Sequence, residues 1–291
     1  MLDGGRVEQA HTALLSWYAE HGRDLPWRRT RDPYAILVAE VMLQQTQVER
    51  VIPIWHAWLA RFPGFADLAR ATRSDAIRAW HGLGYNLRAV RLHQIAQQVV
   101  EKHDGSLPAT LEGLLALKGV GRYTAGAVAC FAFDQPVAMV DTNVRRVLGR
   151  VFLGPAAEPS EVARLAEAVV PVAAAYAWNQ ALMDLGATLC RARRPLCLVC
   201  PLREVCVSAG EHAVRERRPA YAADRQAAEE RLRRGRVVAV LRELPAGGSL
   251  QLSQLEARLD EPLSAVVERL ISDGLVSRDE GDGQVSVRLA D

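Results

Sequence analysis

The amino-acid sequence predicts a mainly α-helical protein with a small C-terminal domain that contains a β-hairpin. Apolar residues recur at helical spacing through residues 7–206, and no β-rich segment occurs before residue 235. Near the C-terminus the pattern changes, because a Gly-containing turn joins two alternating runs. The chain has 291 residues, 49% of them hydrophobic, which is enough for two or three domains.

The first two-thirds of the chain is predicted to form a series of short helices. Ala10, Leu14 and Tyr18 recur on one helical face. Breaks that carry Gly or Pro, such as Phe62-Pro63-Gly64, separate one helix from the next, as is normal in all-α folds. The helices predicted after the first cover residues 36–42, 51–62, 74–83, 88–103, 111–117, 124–132, 143–152, 159–170 and 178–189.

The C-terminal part differs in composition. Residues 207–230 are rich in Ala, Glu and Arg, and we interpret them as a partly helical linker. Three helices and a terminal hairpin, which together resemble a winged-helix module, are predicted beyond it. The helices cover residues 231–243, 252–259 and 263–273, and the strands cover 275–278 and 284–289 around the turn Gly281-Asp282-Gly283.

Composition and charge exclude several classes of protein. The 36 Lys and Arg residues nearly balance 34 Asp and Glu residues, and a net charge of +2 is not that of a strongly basic nucleic-acid binder. The basic surplus lies in residues 1–206, so nucleic-acid binding would depend on local charge. No run of about 18 apolar residues predicts a membrane span, and no signal peptide is visible. We therefore expect a cytoplasmic protein whose five cysteines are reduced.

Four of the five cysteines are close together in the sequence. Cys190, Cys197, Cys200 and Cys206 are separated by six, two and five residues, so their thiols can close on one metal centre with little loss of loop entropy. Spacing leaves the metal open, because zinc sites usually carry two short Cys-x2-Cys pairs, whereas a compact four-cysteine loop also suits an iron–sulfur cluster. Cys130 lies in an apolar run and is interpreted as a small core residue.

A Gly-x-Gly turn joins two apolar helical runs at Gly119 and Gly121. The bare backbone N–H groups of such a turn and the N-terminus of the following helix favour an anion. A DNA phosphate would fit there without any reading of sequence. The alternative is an ordinary helical hairpin.

Two carboxylates are candidate catalytic groups. Glu40 interrupts an apolar helical run, where an ionised side chain is unfavourable unless it is paired or protonated, and burial would favour general-acid chemistry. The alternative is a glutamate at the edge of an amphipathic stripe. Asp141 ends an apolar run ahead of a helix, so it is expected to cap that helix as well as to function.

Four motifs together resemble the MutY family of adenine DNA glycosylases, and the resemblance runs from about residue 7 to residue 206. The turn at Gly119 and Gly121 is similar to the helix-hairpin-helix of the wider endonuclease III superfamily, and Val140-Asp141 matches the aspartate of that superfamily. The four motifs are Leu25-Pro26-Trp27-Arg28, the run from Glu40 to Val48, Gly82-Leu83-Gly84-Tyr85, and the run from Leu182 to Ala187.

The resemblance implies a two-domain helix-hairpin-helix DNA glycosylase with a [4Fe-4S] loop, followed by the winged-helix-like domain. Cys190, Cys197, Cys200 and Cys206 would hold the cluster. The implied domains are a six-helix domain at 29–139, a cluster domain at 1–28 and 140–206, the linker at 207–230 and the winged-helix-like domain at 231–291.

The resemblance also implies site residues. Glu40 would protonate adenine N7, and Asp141 would stabilise the oxocarbenium ion at C1′. Tyr123 and Asn143 would support this charge, and Tyr123 stands where strand-cleaving relatives carry a lysine, so no lyase activity is expected. The implied DNA-binding residues are Gln45, Leu83 and Tyr85 at the gap in the base stack, Gly119 and Gly121 at the backbone, and Arg28 and Gln180 in the adenine pocket.

The expected partner is double-stranded DNA with A:8-oxoguanine or A:G mismatches, and the expected enzyme is a monomer. The chain departs from the family pattern after Cys206, because the remaining residues look like a winged helix instead of the family's larger 8-oxoguanine-reading domain. Two alternatives therefore stay open: a thymine or uracil mismatch glycosylase of the same superfamily, and a non-catalytic Fe–S protein that binds DNA or senses redox state.

Overall fold

The computed structural model describes residues 3–210, 225–281 and 284–291. They are mainly helical, as the sequence predicts, and the chain divides into two compact units. The predicted domain boundaries rest on the resemblance and stay predictions. The first unit contains Met1–Leu37, Ala109–Ala116 and Val120–Arg217, and the second contains Val38–Pro108, Leu117–Gly119 and Arg218–Asp291.

The α-helices are named in chain order. They are α1 (Gly4–His21), α2 (Pro33–Leu43), α3 (Val48–Arg61), α4 (Phe65–Arg70), α5 (Arg73–Ala79), α6 (Leu87–Lys102), α7 (Leu111–Ala116), α8 (Arg122–Phe133), α9 (Thr142–Leu148), α10 (Pro159–Val169), α11 (Ala175–Thr188), α12 (Arg225–Glu243), α13 (Leu252–Leu259) and α14 (Ser264–Ser272).

Side-chain caps fix where several of these helices begin. The Asp32 carboxylate accepts hydrogen bonds from the backbone N–H groups of Tyr34 and Ala35 at 3.1 and 3.3 Å, so α2 begins there. Thr72 and Asp75 form a capping box at the start of α5. The sequence analysis did not identify these caps, and it predicted the two helix starts later, at residues 36 and 74.

The first unit is built around a core between α1, α9, α10 and α11. Trp178 and Leu185 of α11 are fully buried there with Leu14 of α1 and Val147 of α9. The loop that carries the four cysteines packs on the same core through Leu202. Burial of this apolar surface stabilises the unit and fixes the loop beside α9 and α11.

The second unit joins helices α3–α6 to the C-terminal module, which we define as α12–α14 with strands β1 (Leu250–Gln251), β2 (Val276–Gly281) and β3 (Gln284–Leu289). The strands form one antiparallel sheet in the order β1-β3-β2. Along the chain, α12–α14 are followed by the hairpin of β2 and β3, which is the order predicted for the winged-helix-like module. The core of the module continues into α5 and α6, because Ile77 and Val90 are buried in the same cluster as Val237 and Leu241.

Several boundaries differ from those predicted. The helix predicted at 74–83 ends at Ala79, because Gly82 and Gly84 follow with φ of 89° and 69°. The sequence did not predict helix α4, of six residues, or strand β1, of two.

The linker prediction is only partly covered by the structure. Helix α12 begins at Arg225, inside the linker predicted at 207–230, whereas residues 211–224 lie outside the described residues. Asp282 and Gly283 of the predicted turn lie outside them as well. Among the helices that are described, none is long and apolar enough to cross a membrane.

Candidate active site and cysteine loop

Glu40 is a buried carboxyl group. It lies in α2 between Ala39 and Val41, and only 4% of the residue is exposed. This placement matches the predicted burial and disfavours the alternative of a glutamate at the edge of the stripe. The role of Glu40 as a general acid stays a prediction.

The segments after α2 and before α6 carry the residues predicted to enter the DNA stack. Gln45 and Tyr85 both have left-handed backbones, with φ of 56° and 46°. Such conformations cost about 1 kcal/mol or more for residues other than glycine, so the surrounding structure must enforce them. Tyr85 is 41% exposed, whereas Leu83 is only 3% exposed.

Arg88 holds these two backbone segments in place, and the sequence analysis did not identify this residue. The side chain is buried, and its guanidinium lies 5.5 Å from the ring centre of Tyr85. Burial lowers the pKa of Arg88 to about 10, so the six hydrogen bonds it donates must hold a desolvated cation. The acceptors are the carbonyls of Val41 and Met42 at 3.0 and 2.9 Å, the carbonyl of Gln44, Thr46 Oγ1 at 3.0 Å, and the carbonyls of Leu83 and Gly84 at 3.1 and 3.2 Å.

A signal for Arg88 does exist in the sequence. It falls on the same face of α6 as Leu92 and Ile95, both fully buried. A charge on a core stripe is the same observation that singled out Glu40. Applied to α6, it predicts a buried cation with several acceptors.

Asp141 caps α9, as predicted. Its Oδ1 accepts a hydrogen bond from the backbone N–H of Val144 at 2.7 Å, and its Oδ2 accepts one from Asn143 Nδ2 at 3.1 Å. Arg146 donates in turn to Asn143 Oδ1 at 2.8 Å and to the carbonyl of Cys190 at 2.8 Å. The predicted pair Asp141 and Asn143 is therefore in direct contact and is tied through Arg146 to the cysteine loop.

The position of α9 depends on a close approach to α11. A Cβ added at Gly186 would lie 2.7 Å from Cβ of Asn143, and Arg146 donates to the Gly186 carbonyl at 2.7 Å. Only glycine allows this contact without movement of α9. Met183, on the same helix, accepts a hydrogen bond through its sulfur from the Tyr123 hydroxyl at 3.4 Å.

Arg28 is engaged inside the first unit. Its guanidinium donates two hydrogen bonds to the carboxylate of Asp184, both at 2.8 Å, and its side chain is 7% exposed. Arg23 also pairs with Asp184 at 2.7 Å, and the two arginines keep the pKa of that carboxyl low in spite of its burial. Gln180 is buried on α11. The pocket roles of Arg28 and Gln180 stay predictions.

The Gly-x-Gly turn lies between α7 and α8, as predicted, and both glycines are exposed. Gly119 has a φ of 101°, and a Cβ there would meet the Arg91 side chain at 2.8 Å. The Gln98 amide holds the neighbouring peptide by accepting from Lys118 N–H at 2.9 Å and donating to its carbonyl at 3.1 Å. The turn is thus preformed, with its backbone accessible.

The four cysteines line one cavity, together with Arg150 and Ser208. Arg150 donates to Cys190 Sγ at 3.6 Å, and the Ser208 hydroxyl is buried without a hydrogen-bond partner. Burial raises the pKa of Cys200 to about 11. In residues 3–210, 225–281 and 284–291, no three His, Cys, Asp or Glu side chains are grouped so that they could hold one metal ion.

This arrangement fits a sulfur-bound group that fills the cavity. Four thiols and two hydrogen-bond donors around one space have the chemistry that an iron–sulfur cluster takes from a protein.

The predicted site residues form two local groups. Glu40, Gln45, Leu83 and Tyr85 belong to the second unit, where Arg88 ties their backbones together. Tyr123, Asp141 and Asn143 belong to the first unit and lie close to α11.

Comparison with known proteins relates this chain to DNA repair enzymes. Residues 38–172 match the HhH-GPD superfamily of base excision DNA repair proteins. The adenine DNA glycosylase of Mycolicibacterium smegmatis is 42% identical over 286 residues, which cover 94% of each chain. The human adenine DNA glycosylase is 45% identical over 220 residues, which cover 70% of this chain and 40% of the human protein.

Solved structures agree with the fold. A thermostable thymine-DNA glycosylase, 31% identical, matches with a TM-score of 0.68 and covers 71% of this chain and 98% of its own. Endonuclease III trapped on DNA, 23% identical, matches with a TM-score of 0.63 and covers 72% of this chain and 99% of its own.

The C-terminal module is shared with a relative. Because the match to the M. smegmatis protein covers 94% of this chain, it must include residues beyond Cys206. The M. smegmatis protein therefore matches part of the C-terminal region as well. The departure from the usual family pattern is therefore not peculiar to this sequence. The chain belongs to the adenine DNA glycosylase family, within the HhH-GPD superfamily of base excision DNA repair proteins.

Proposed function

We propose that this protein is a monofunctional DNA glycosylase that removes adenine mispaired with 8-oxoguanine or guanine by hydrolysis of the N-glycosidic bond. The observation that carries the proposal is the 42% identity to an adenine DNA glycosylase over 94% of both chains. The buried Glu40 and the capped Asp141 support it, because two carboxyl groups held in place are the groups that cleavage of a glycosidic bond uses.

The proposed chemistry divides the work between two carboxyl groups. The enzyme flips the adenine out of the duplex, since the bond is inaccessible in the stack. Glu40 gives its proton to N7, which makes adenine a better leaving group. Asp141, fixed by Asn143 and the Val144 N–H, stabilises the sugar cation as the base leaves, and water completes the hydrolysis.

The reaction stops at the abasic site. Tyr123 carries a phenol whose hydrogen bond goes to the sulfur of Met183, and a phenol cannot form a Schiff base with the opened sugar. The DNA strand therefore stays intact until alkali is added. In the cell this enzyme would act as a cytoplasmic monomer on the double-stranded DNA of the nucleoid.

One observation favours a second candidate activity. The solved structure at 31% identity is that of a thymine-DNA glycosylase. Excision of thymine or uracil opposite guanine would use the same hairpin and the same aspartate.

A single assay separates the candidates. Duplexes with A:8-oxoguanine, A:G, T:G or U:G pairs are incubated with the protein and then treated with alkali to reveal abasic sites. Alkali-dependent cutting at adenine is the expected result. Cutting at thymine or uracil alone would assign the second activity, and no cutting of any duplex would support a protein that binds DNA without catalysis.

We also propose that Cys190, Cys197, Cys200 and Cys206 hold a [4Fe-4S] cluster, with Arg150 and Ser208 as donors to its sulfurs. The cluster would fix the loop next to α9 and α11. Anaerobically purified protein should be brown, with about four iron and four sulfide per chain. A colourless protein with one zinc per chain would refute the assignment.

A further inference from the structure

The C-terminal module contacts the segment that carries Tyr85. Arg231 of α12 donates a hydrogen bond to the Tyr85 hydroxyl at 2.8 Å, and its guanidinium lies 5.8 Å from the centre of the ring. Arg88 lies 5.5 Å from the same ring centre. Tyr85 is therefore held by two guanidinium groups. Arg88 belongs to helices α3–α6 of the second unit, which we call the helical body, and Arg231 belongs to the module.

A second arginine of α12 contacts the next residue of that segment. Arg242 donates to Asn86 Oδ1 at 2.6 Å and to the Ile77 carbonyl at 3.0 Å, and burial lowers its pKa to about 10. Arg231 and Arg242 are eleven residues apart, about three helical turns, so they lie on one face of α12. The same face thus holds two consecutive residues, Tyr85 and Asn86.

The packing keeps α12 at a fixed distance from this segment. Val237, Val238 and Leu241 of α12 are fully buried in one cluster with Ile77 and Val90 of the helical body. Arg78 of α5 donates to the backbone carbonyls of Arg242, Leu244 and Pro245. The module is therefore attached to the helical body as a packed element, and Arg231 is presented to Tyr85 at a defined position.

The charges of the module do not favour a separate DNA-binding surface. Seven of its arginines pair with carboxylates of the module itself. The pairs are Arg233 and Arg236 with Glu261, Arg234 with Asp273, Arg258 with Glu243, Arg269 with Glu230, Arg278 with Glu268, and Arg288 with Asp279 and Asp291. This includes α14, the helix that would be expected to read a groove.

We propose that Arg231 is a positioning residue for Tyr85, and that the C-terminal module takes part in mismatch recognition through this contact. The inference rests on the proposed function, in which Tyr85 enters the base stack. A ring held in one orientation before binding loses less conformational entropy when it inserts. Arg231 should therefore contribute to mismatch affinity and to unstacking, and not to the rate of bond cleavage.

The test uses the full-length protein. Binding is measured on a duplex in which 2′-fluoro-2′-deoxyadenosine, whose glycosidic bond resists hydrolysis, faces 8-oxoguanine. A neighbouring 2-aminopurine reports unstacking by its rise in fluorescence. Single-turnover cleavage of the natural A:8-oxoguanine duplex reports the chemical step. The variants are Arg231→Ala, Arg231→Lys, Tyr85→Leu and the Arg231→Ala, Tyr85→Leu double variant.

We expect Arg231→Ala to weaken binding about tenfold, because the variant loses a charge-assisted hydrogen bond. A tenfold change corresponds to about 1.4 kcal/mol of binding free energy. The 2-aminopurine signal should fall, while the rate at saturating protein stays within about twofold. Arg231→Lys should restore binding. In the Tyr85→Leu background Arg231→Ala should have no further effect. Arg236→Ala, on the same helix but paired with Glu261, is the matched control for lost charge.

Three results would overturn the inference while leaving the proposed function intact. The first is unchanged binding by Arg231→Ala, and the second is additive effects of the Arg231 and Tyr85 substitutions. The third is an equal loss of affinity on matched and mismatched duplexes, together with a weaker dependence of affinity on salt concentration, which would indicate a phosphate contact. Failure of the wild-type protein to release adenine would instead refute the proposed function itself.

Discussion

At the scale of single residues, two ionisable side chains are buried on apolar helix faces. Glu40 of α2 and Arg88 of α6 are 4% and 5% exposed. Burial of such groups is unfavourable unless they are neutral or well bonded. Arg88 satisfies this condition through the six hydrogen bonds that it donates. The proposed function assigns a proton to Glu40.

Glu40→Gln should abolish base release and keep binding. The amide has the size of the carboxyl group but no proton to give, so the single-turnover rate should fall by about 100-fold or more. Mismatch affinity should stay within about threefold. Glu49→Gln, an exposed residue at the start of α3, is the matched control. Near-normal release by Glu40→Gln would remove Glu40 from the reaction.

His93 should make the protein sensitive to acid. Its Nε2 lies 2.8 Å from the Ala71 carbonyl, its Nδ1 is buried without a partner, and burial lowers its pKa below the ordinary value of about 6.5. As pH falls below about 6.5 the unfolded chain takes up a proton that the folded chain does not, so the free energy of unfolding decreases.

Thermal melts at about pH 7.5 and about pH 5.5 check this prediction. The melting temperature should drop less for His93→Gln than for the wild type, because glutamine can still donate to Ala71 but does not titrate. His81→Gln, at an exposed position, should behave like the wild type. Equal drops for all three proteins would show that His93 is not the titrating group.

At the scale of elements, one close helix contact positions the predicted catalytic aspartate. Gly186 lets α11 approach Asn143, and Asn143 donates to Asp141. The hairpin between α7 and α8 uses glycine similarly, since Gly119 leaves room for Arg91. In both places a missing Cβ allows two elements to meet.

The same substitution at two helical glycines should have opposite effects. Gly186→Ala places a methyl group 2.7 Å from Asn143 Cβ, so α9 must move. We expect at least a tenfold lower rate of adenine release and a loss of about 1–3 kcal/mol of stability. Gly235→Ala in α12 meets nothing within 4 Å and should stabilise by about 0.5–1 kcal/mol with full activity. Calorimetry and single-turnover assays measure both, and a neutral Gly186→Ala would contradict the positional argument.

At the scale of the whole molecule, the C-terminal module shares its hydrophobic core with α5 and α6. Ile77 and Val90 of the helical body are buried against Val237 and Leu241 of α12. A domain on a flexible tether has its own core, so this sharing predicts that the module unfolds together with those helices.

Deletion of residues 225–291 should therefore damage the helical body. The buried apolar faces of Ile77 and Val90 would meet water, and Arg78 would lose its carbonyl acceptors. We expect a lower melting temperature and increased binding of a hydrophobic dye relative to the full-length chain. An unchanged melting temperature would show that the module folds and acts separately.

Much of the fold was predictable because its signals are local. Helix periods, the cap at Asp141 and the turn at Gly119 each depend on residues a few positions apart. The predicted strands at 275–278 and 284–289 overlap β2 and β3 for the same reason. Strand β1 escaped prediction because two residues show no alternating pattern. Helix α4, of six residues, was missed as well.

The sequence by itself determined the helices, the position of Glu40 in an apolar helical run, the cap at Asp141, the four neighbouring cysteines and the likeness to MutY. The tertiary structure decided that Glu40 is buried. Only the tertiary structure decided that Arg88 ties the backbones near Gln45 and Tyr85, that Gly186 admits Asn143, and that Arg231 reaches the Tyr85 hydroxyl. These contacts join residues between about 40 and 150 positions apart. No period or spacing encodes such a pair, because its geometry results from how the helices pack.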